Sequence, residues 1–99
     1  MTLREIANWI AAAEPRQTKT YHRGFFAVDA LLSADMRSSR NLLLMAEDKG
    51  LIDLVQRKLS VAEFEYTMTR RRKPWQHSAE MLLLESAKRD MFKERAERG

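Results

Sequence analysis

Two histidines, His22 and His77, and no cysteine make up the soft-ligand and nucleophile inventory of this 99-residue chain. Without a thiol there is no disulfide, no thiolate catalysis and no Cys-ligated zinc site. His77 and Glu80 stand three apart, a helical spacing found in carboxylate-bridged metal sites. Those sites need several such pairs on facing helices, so one pair reads as an exposed imidazole beside a salt-bridging carboxylate. The glycines Gly24, Gly50 and Gly99 are too scattered for a phosphate-cradling loop. The sequence therefore reads as a non-enzyme with no metal, no cofactor and no evident small-molecule substrate.

The chemistry on offer is cationic. Residues 64–80, "FEYTMTRRRKPWQHSAE", carry Arg70, Arg71, Arg72 and Lys73 in succession, and "RQTKTYHR" (16–23) carries Arg16, Lys19 and Arg23 with no acid. The formal net charge is +4, and these stretches, with Arg57 and Lys58, supply the excess. Basicity concentrated in short segments is the electrostatic footprint of a polyanion binder; the alternative is a pair of solubilising loops. If 63–70 is a strand, successive arginines point to opposite faces, so the run needs company to form a patch. Arg16, Lys19, His22 and Arg23 could provide it if both runs lie on the same side of the core. Four to six phosphates would then be met, an estimate that implies a steep dependence on salt. Tyr21, His22 and Trp75 beside these cations could also stack on unpaired bases.

The elements that hold these residues can be read from periodicity. Thr2 and Glu5 have capping-box spacing, and Leu3, Ile6, Ala7, Trp9, Ile10 and Ala13 form one stripe. A helix over 2–13, ended by Pro15, is predicted. "RQTKTYHRGFFAVDALL" fits either a strand or a helix through Phe25, Val28, Leu31 and Leu32; the expectation is an extended piece near 20–23 and a helix from about 25 to 33. "ADMRSSRNLLLMAEDKG" predicts a largely buried helix stopped by Gly50. Met36, Leu42, Leu43, Leu44 and Ala46 cover most of its surface, leaving a strip with Arg37, Asn41 and Asp48, and Ser38 at its edge. "LIDLVQRK" and "EFEYTMTRR" read as strands joined by "LSVA", the second alternating Phe64, Tyr66 and Met68 against Glu63, Glu65, Thr67 and Thr69. "SVAE" also fits a helix start, but the alternation and the threonines favour a hairpin. After Pro74, residues 75–98 predict a long helix with Trp75, Ala79, Leu82, Leu83, Ala87 and Met91 on one stripe. Met81, Leu84, Lys88 and Phe92 form its candidate dimer or partner face.

A helix, an extended piece, two helices and a hairpin is an order that resembles the winged helix-turn-helix superfamily. "FFAVDALLSADMRSSRNLLLMAEDKGLIDLVQRKLSVAEFEYTMTRR" is similar to its helix-helix-wing half, within a resemblance spanning roughly 2–72. It implies an α+β, winged-helix-like domain at 1–73, with 74–99 an additional C-terminal helix that packs on it or mediates dimerisation or partner contact. In this superfamily the third helix enters the DNA major groove and the cations flanking the wing touch phosphates. Carried over by position, Arg37, Ser38, Arg40 and Asn41 become base-edge or phosphate contacts. Arg57, Lys58, Arg70, Arg71, Arg72 and Lys73 become backbone contacts, with Arg16, Lys19 and Arg23 in the neighbouring run. The chain departs from the pattern in lacking a glycine between the two helices, in the acids Glu47 and Asp48, and in an apolar wing tip, Leu59–Ala62.

No apolar run approaches the ~20 residues of a membrane span, and the first residues lack an apolar signal core. The expectation is a cytoplasmic, bacterial- or phage-type DNA-binding regulator, acting on double-stranded DNA and working as a homodimer. The alternative is a protein-interaction module, such as a phage-encoded inhibitor of a host complex with an anti-defence role. The apolar tip and the two-faced last helix motivate it.

Overall fold

Thr2 closes the predicted capping box at the first helix: its side chain accepts from the Glu5 N–H, and the Glu5 carboxylate accepts from the Thr2 N–H at 3.0 Å. The helix buries Ile6, Ala7 and Ile10 on one stripe and ends at Ala13, which is already extended ahead of Pro15. The computed structural model describes residues 1–98, with side chains at 1–26 and 28–89. It is an α+β fold whose order is α1 (Leu3–Ala12), β1 (Thr18–Gly24), α2 (Phe26–Leu32), α3 (Ala34–Asp48), β2 (Ile52–Lys58), β3 (Phe64–Arg70) and α4 (Ala79–Arg98).

The three strands form one antiparallel sheet in the order β1-β3-β2. Pairing runs from Ile52↔Arg70 to Lys58↔Phe64 on one side of β3 and from Thr18↔Thr69 to Gly24↔Phe64 on the other. The alternation read in the sequence puts Tyr66, Met68 and Arg70 on the buried face of β3. An irregularity between Thr20 and His22 leaves Tyr21 outside the pairing and turns it into the core. There it meets Phe26 edge-on and lies beside Tyr66. His22 hydrogen-bonds Asp29 at 2.8 Å, tying β1 to α2.

Helices α1 and α3 cover the inner face of the sheet, and α4 packs against both, contributing Leu82 to the same core. α3 ends in a Schellman motif: Gly50, at φ +78°, donates to Glu47 O, and Leu51 donates to Ala46 O, both at 2.9 Å.

Two local expectations are corrected, and one feature of α2 is new. The last helix begins at Ala79, because residues 75–78 form a turn in which the Trp75 indole N–H donates to Ser78 O at 3.2 Å. Leu44 is 43 % exposed, since α3 lies along the edge of the sheet and not across its middle. Phe25, Val28, Leu31 and Leu32 also face outward, for α2 buries only Phe26 and Ala30 among its described side chains.

Candidate nucleic-acid interface

Three separate stretches of chain meet beneath the C-terminal end of α3: the lead into β1, the α3–β2 corner and the exit from β3. They enclose an open cleft of about 570 Å³ lined by Arg16, Lys49, Arg70, Arg71, Arg72 and Lys73, with Asp48 and Asp53 among them. Backbone hydrogen bonds set this geometry. The Arg16 N–H donates to Arg70 O at 2.7 Å, the Arg70 N–H to Gln17 O at 2.8 Å, and the Arg71 N–H to Leu51 O at 2.9 Å.

Arg16 has φ +74°, the left-handed region that side chains avoid. It sits in the turn Glu14-Pro15-Arg16-Gln17, closed by Gln17 N–H to Glu14 O at 3.1 Å. Proline second, a residue of positive φ third and a closing bond are the marks of a type II turn, whose third place favours glycine. Arginine there carries backbone strain of about 1 kcal/mol. The Gln17 side-chain oxygen, accepting from the Glu14 N–H at 2.8 Å, helps hold the turn.

Of the two acids of the cleft, one is engaged outside it and one within it. Asp48 pairs with Arg89 at 2.7 Å, and Asp53 is 3.8 Å from Arg71. Lys49 pairs with Glu85 at 2.6 Å, and Lys73 donates to Lys49 O at 2.7 Å. Arg16 and Arg72 are exposed and have no ion pair among the described residues. The concavity therefore carries an excess of cations over acids, with Arg16 and Arg72 the ones without an ion pair among the described residues.

Arg70 must be separated from its neighbours. It is 5 % exposed. Its Nε donates to Ile10 O at 2.8 Å, and its Nη1 donates to Leu51 O, Arg71 O and Lys73 O at 3.0, 3.0 and 2.9 Å. Desolvation lowers its pKa, but a guanidinium stays charged at any working pH. This side chain staples α1 to the sheet and the 71–73 segment, so it is a structural group and not a phosphate contact. Arg37 is likewise committed, donating to Ala30 O and Leu31 O at 3.2 Å and satisfying the free carbonyls at the end of α2.

A second group of cations lies at the other end of the sheet. Arg40 and Leu44 of α3 share a groove with Val55 and Gln56 of β2, so the helix runs beside the hairpin. Arg40 and Lys58 are exposed without an ion pair among the described residues, and Ser38 and Asn41 are half-buried on α3. Arg23 and Arg57 share Glu65, at 3.1 and 3.8 Å. Arg23 therefore sits at the hairpin end, away from Arg71, while Arg16 joins the cleft; Lys19 is exposed between them on β1. Six strand steps separate Ile52 from Lys58, a span of about 20 Å.

Lys49 is the cleft residue the sequence reading did not single out. Its place at the C-cap of α3 explains it as a dipole partner, and only the fold brings it to Lys73. On α4, Met81, Leu84 and Lys88 are exposed at successive turns, while the Phe92 side chain lies outside the described side chains. Among the described residues no group of His, Asp and Glu could hold a metal ion, and no helix is long and apolar enough to cross a membrane. No protein-family model matches the chain, and comparison with curated proteins and with solved structures finds no match.

Proposed function

We propose that this protein is a small winged-helix-type DNA-binding module that grips the phosphate backbone through the cleft of Arg16, Lys49, Arg71, Arg72 and Lys73. The convergence of these cations from three stretches of chain carries the reading. Lys49 and Arg71 have acidic partners in Glu85 and Asp53, whereas Arg16 and Arg72 have none among the described residues, and a strained Arg16 stands where glycine would fit better. The order α1-β1-α2-α3-β2-β3 with a β1-β3-β2 sheet supports the winged-helix comparison. Arg40 of α3 lies beside Val55 and Gln56 of β2, the strand that ends at Lys58. A span of about 20 Å between the two cationic groups matches roughly six base-pair steps of 3.4 Å. Phosphates reached by the cleft and by the hairpin would thus bracket the helix.

Charge reversal tests the assignment. Arg71→Glu with Arg72→Glu, both exposed, should retain the fold while the slope of log affinity against log salt falls in magnitude by about two. An unchanged slope would remove the cleft from the interface.

A second reading, a protein-interaction module, is favoured by a different surface. Leu31 and Leu32 on α2 are 74 % and 84 % exposed, and Val61 at the hairpin tip is 92 % exposed. Clustered apolar side chains this open mark contact sites more often than solvent-facing surface. The two readings are compatible if α2 brings two copies together on one duplex.

A further inference from the structure

Between α3 and the sheet lies a groove of about 310 Å³, separate from the basic cleft and walled by Leu43, Leu44, Leu54 and Val55. Its volume is at the lower end of small-molecule sites, which combine apolar walls with a few directed polar groups. Tyr21 supplies one of these. It is 92 % buried, counted from 8 % exposure, lines the groove, and its hydroxyl makes no hydrogen bond among the described residues. Among the described residues no fully enclosed side-chain oxygen or nitrogen lacks a partner, so this hydroxyl keeps some exposure, and its residue lines the groove. Burial, with Tyr66 and Glu47 nearby, pushes the phenol up to about 12, so it is protonated at neutral pH. Its neighbour Tyr66 is already engaged, accepting from the Phe26 N–H at 3.0 Å.

The groove also has a polarity. Arg40 and Glu47 lie on the same face of α3, about 10 Å apart along the axis at 1.5 Å per residue. Glu47 is held at its end by accepting from the Leu54 N–H at 3.2 Å. Its fixed negative charge repels an anion there, whereas Arg40 at the other end has no ion pair among the described residues. We propose that this groove binds a small aromatic carboxylate, its ring between α3 and β2, its carboxylate on Arg40 and a ring N–H donating to the Tyr21 hydroxyl oxygen. Arg40 is shared with the helix face assigned to DNA, so the titration uses the protein without DNA, where the groove is tested apart from that reading.

The test is an NMR titration of the full chain, following backbone amides, with indole-3-acetate and its uncharged counterpart indole-3-ethanol. Saturable shifts centred on Leu43, Leu44, Leu54 and Val55 are expected, with the acid binding about tenfold tighter than the alcohol, as one charged hydrogen bond implies. Arg40→Met should abolish that preference. Tyr21→Phe, which keeps the buried ring, should weaken both probes while the preference remains. Equal binding of the two probes, shifts centred on the basic cleft, or a preference that survives Arg40→Met would each overturn the proposal. So would the absence of saturation at millimolar probe, including the case in which only an apolar peptide occupies the groove.

Discussion

Arg70 and Arg71 are the same residue type, one position apart, with opposite roles. Strand alternation turns the first inward among the carbonyls of Ile10, Leu51 and Lys73 and leaves the second outward beside Asp53. The alternation was legible in "FEYTMTRRR", as was the consequence that successive arginines point apart. Which of them would be enclosed was not, because that depends on the end of α1 arriving over the last rung of β3. Replacing Arg70 with Met removes the donor to the Ile10, Arg71 and Lys73 carbonyls, while Leu51 O keeps the Arg71 N–H, and should cost about 3 kcal/mol. A thermal melt would then fall by roughly 10–20 °C. A loss of DNA affinity with an unchanged melt would contradict the structural role. Arg16 carries the opposite expectation. Arg16→Gly relieves the turn and should stabilise the chain by up to about 1 kcal/mol, while lowering the salt slope by about one. A variant that is both less stable and equally salt-sensitive would count against both assignments.

At the level of elements, the segments with strong periodicity were read correctly from sequence. These are α1 with its capping box, α3 with its Gly50 stop, and the hairpin of β2 and β3. Each is decided locally, by caps, turn residues and period. The errors fall where neighbours decide. Leu44, read as part of a buried surface, is half open beside β2, and α2, only seven residues long, docks through Phe26 and Ala30 with Val28, Leu31 and Leu32 outward. Its outward leucines gain nothing from the fold, so changing them should not harm it. Leu31→Lys with Leu32→Lys should keep stability within about 0.5 kcal/mol of the parent. In sedimentation velocity the parent should self-associate through this face and the variant should not. A parent that is already monomeric, or a variant that associates equally, would rule out α2 as a homodimer face.

The candidate interface exists only at the scale of the whole molecule. The sequence offered two basic runs and a condition, that they converge, and the fold meets that condition in part. Arg16 joins Arg71, Arg72 and Lys73, whereas Arg23 is carried along β1 to the far end and pairs with Glu65. Lys49 enters from α3. No local pattern foretells this, because it follows from three chain crossings at one corner of the sheet. The most direct measurement is the affinity of the unmodified protein for a random duplex across a salt series, read by fluorescence anisotropy. Four to five phosphates met by the cleft and hairpin predict a log–log slope of about −4. A slope near zero would contradict the account and leave the cationic run as a solvated connector between β3 and α4.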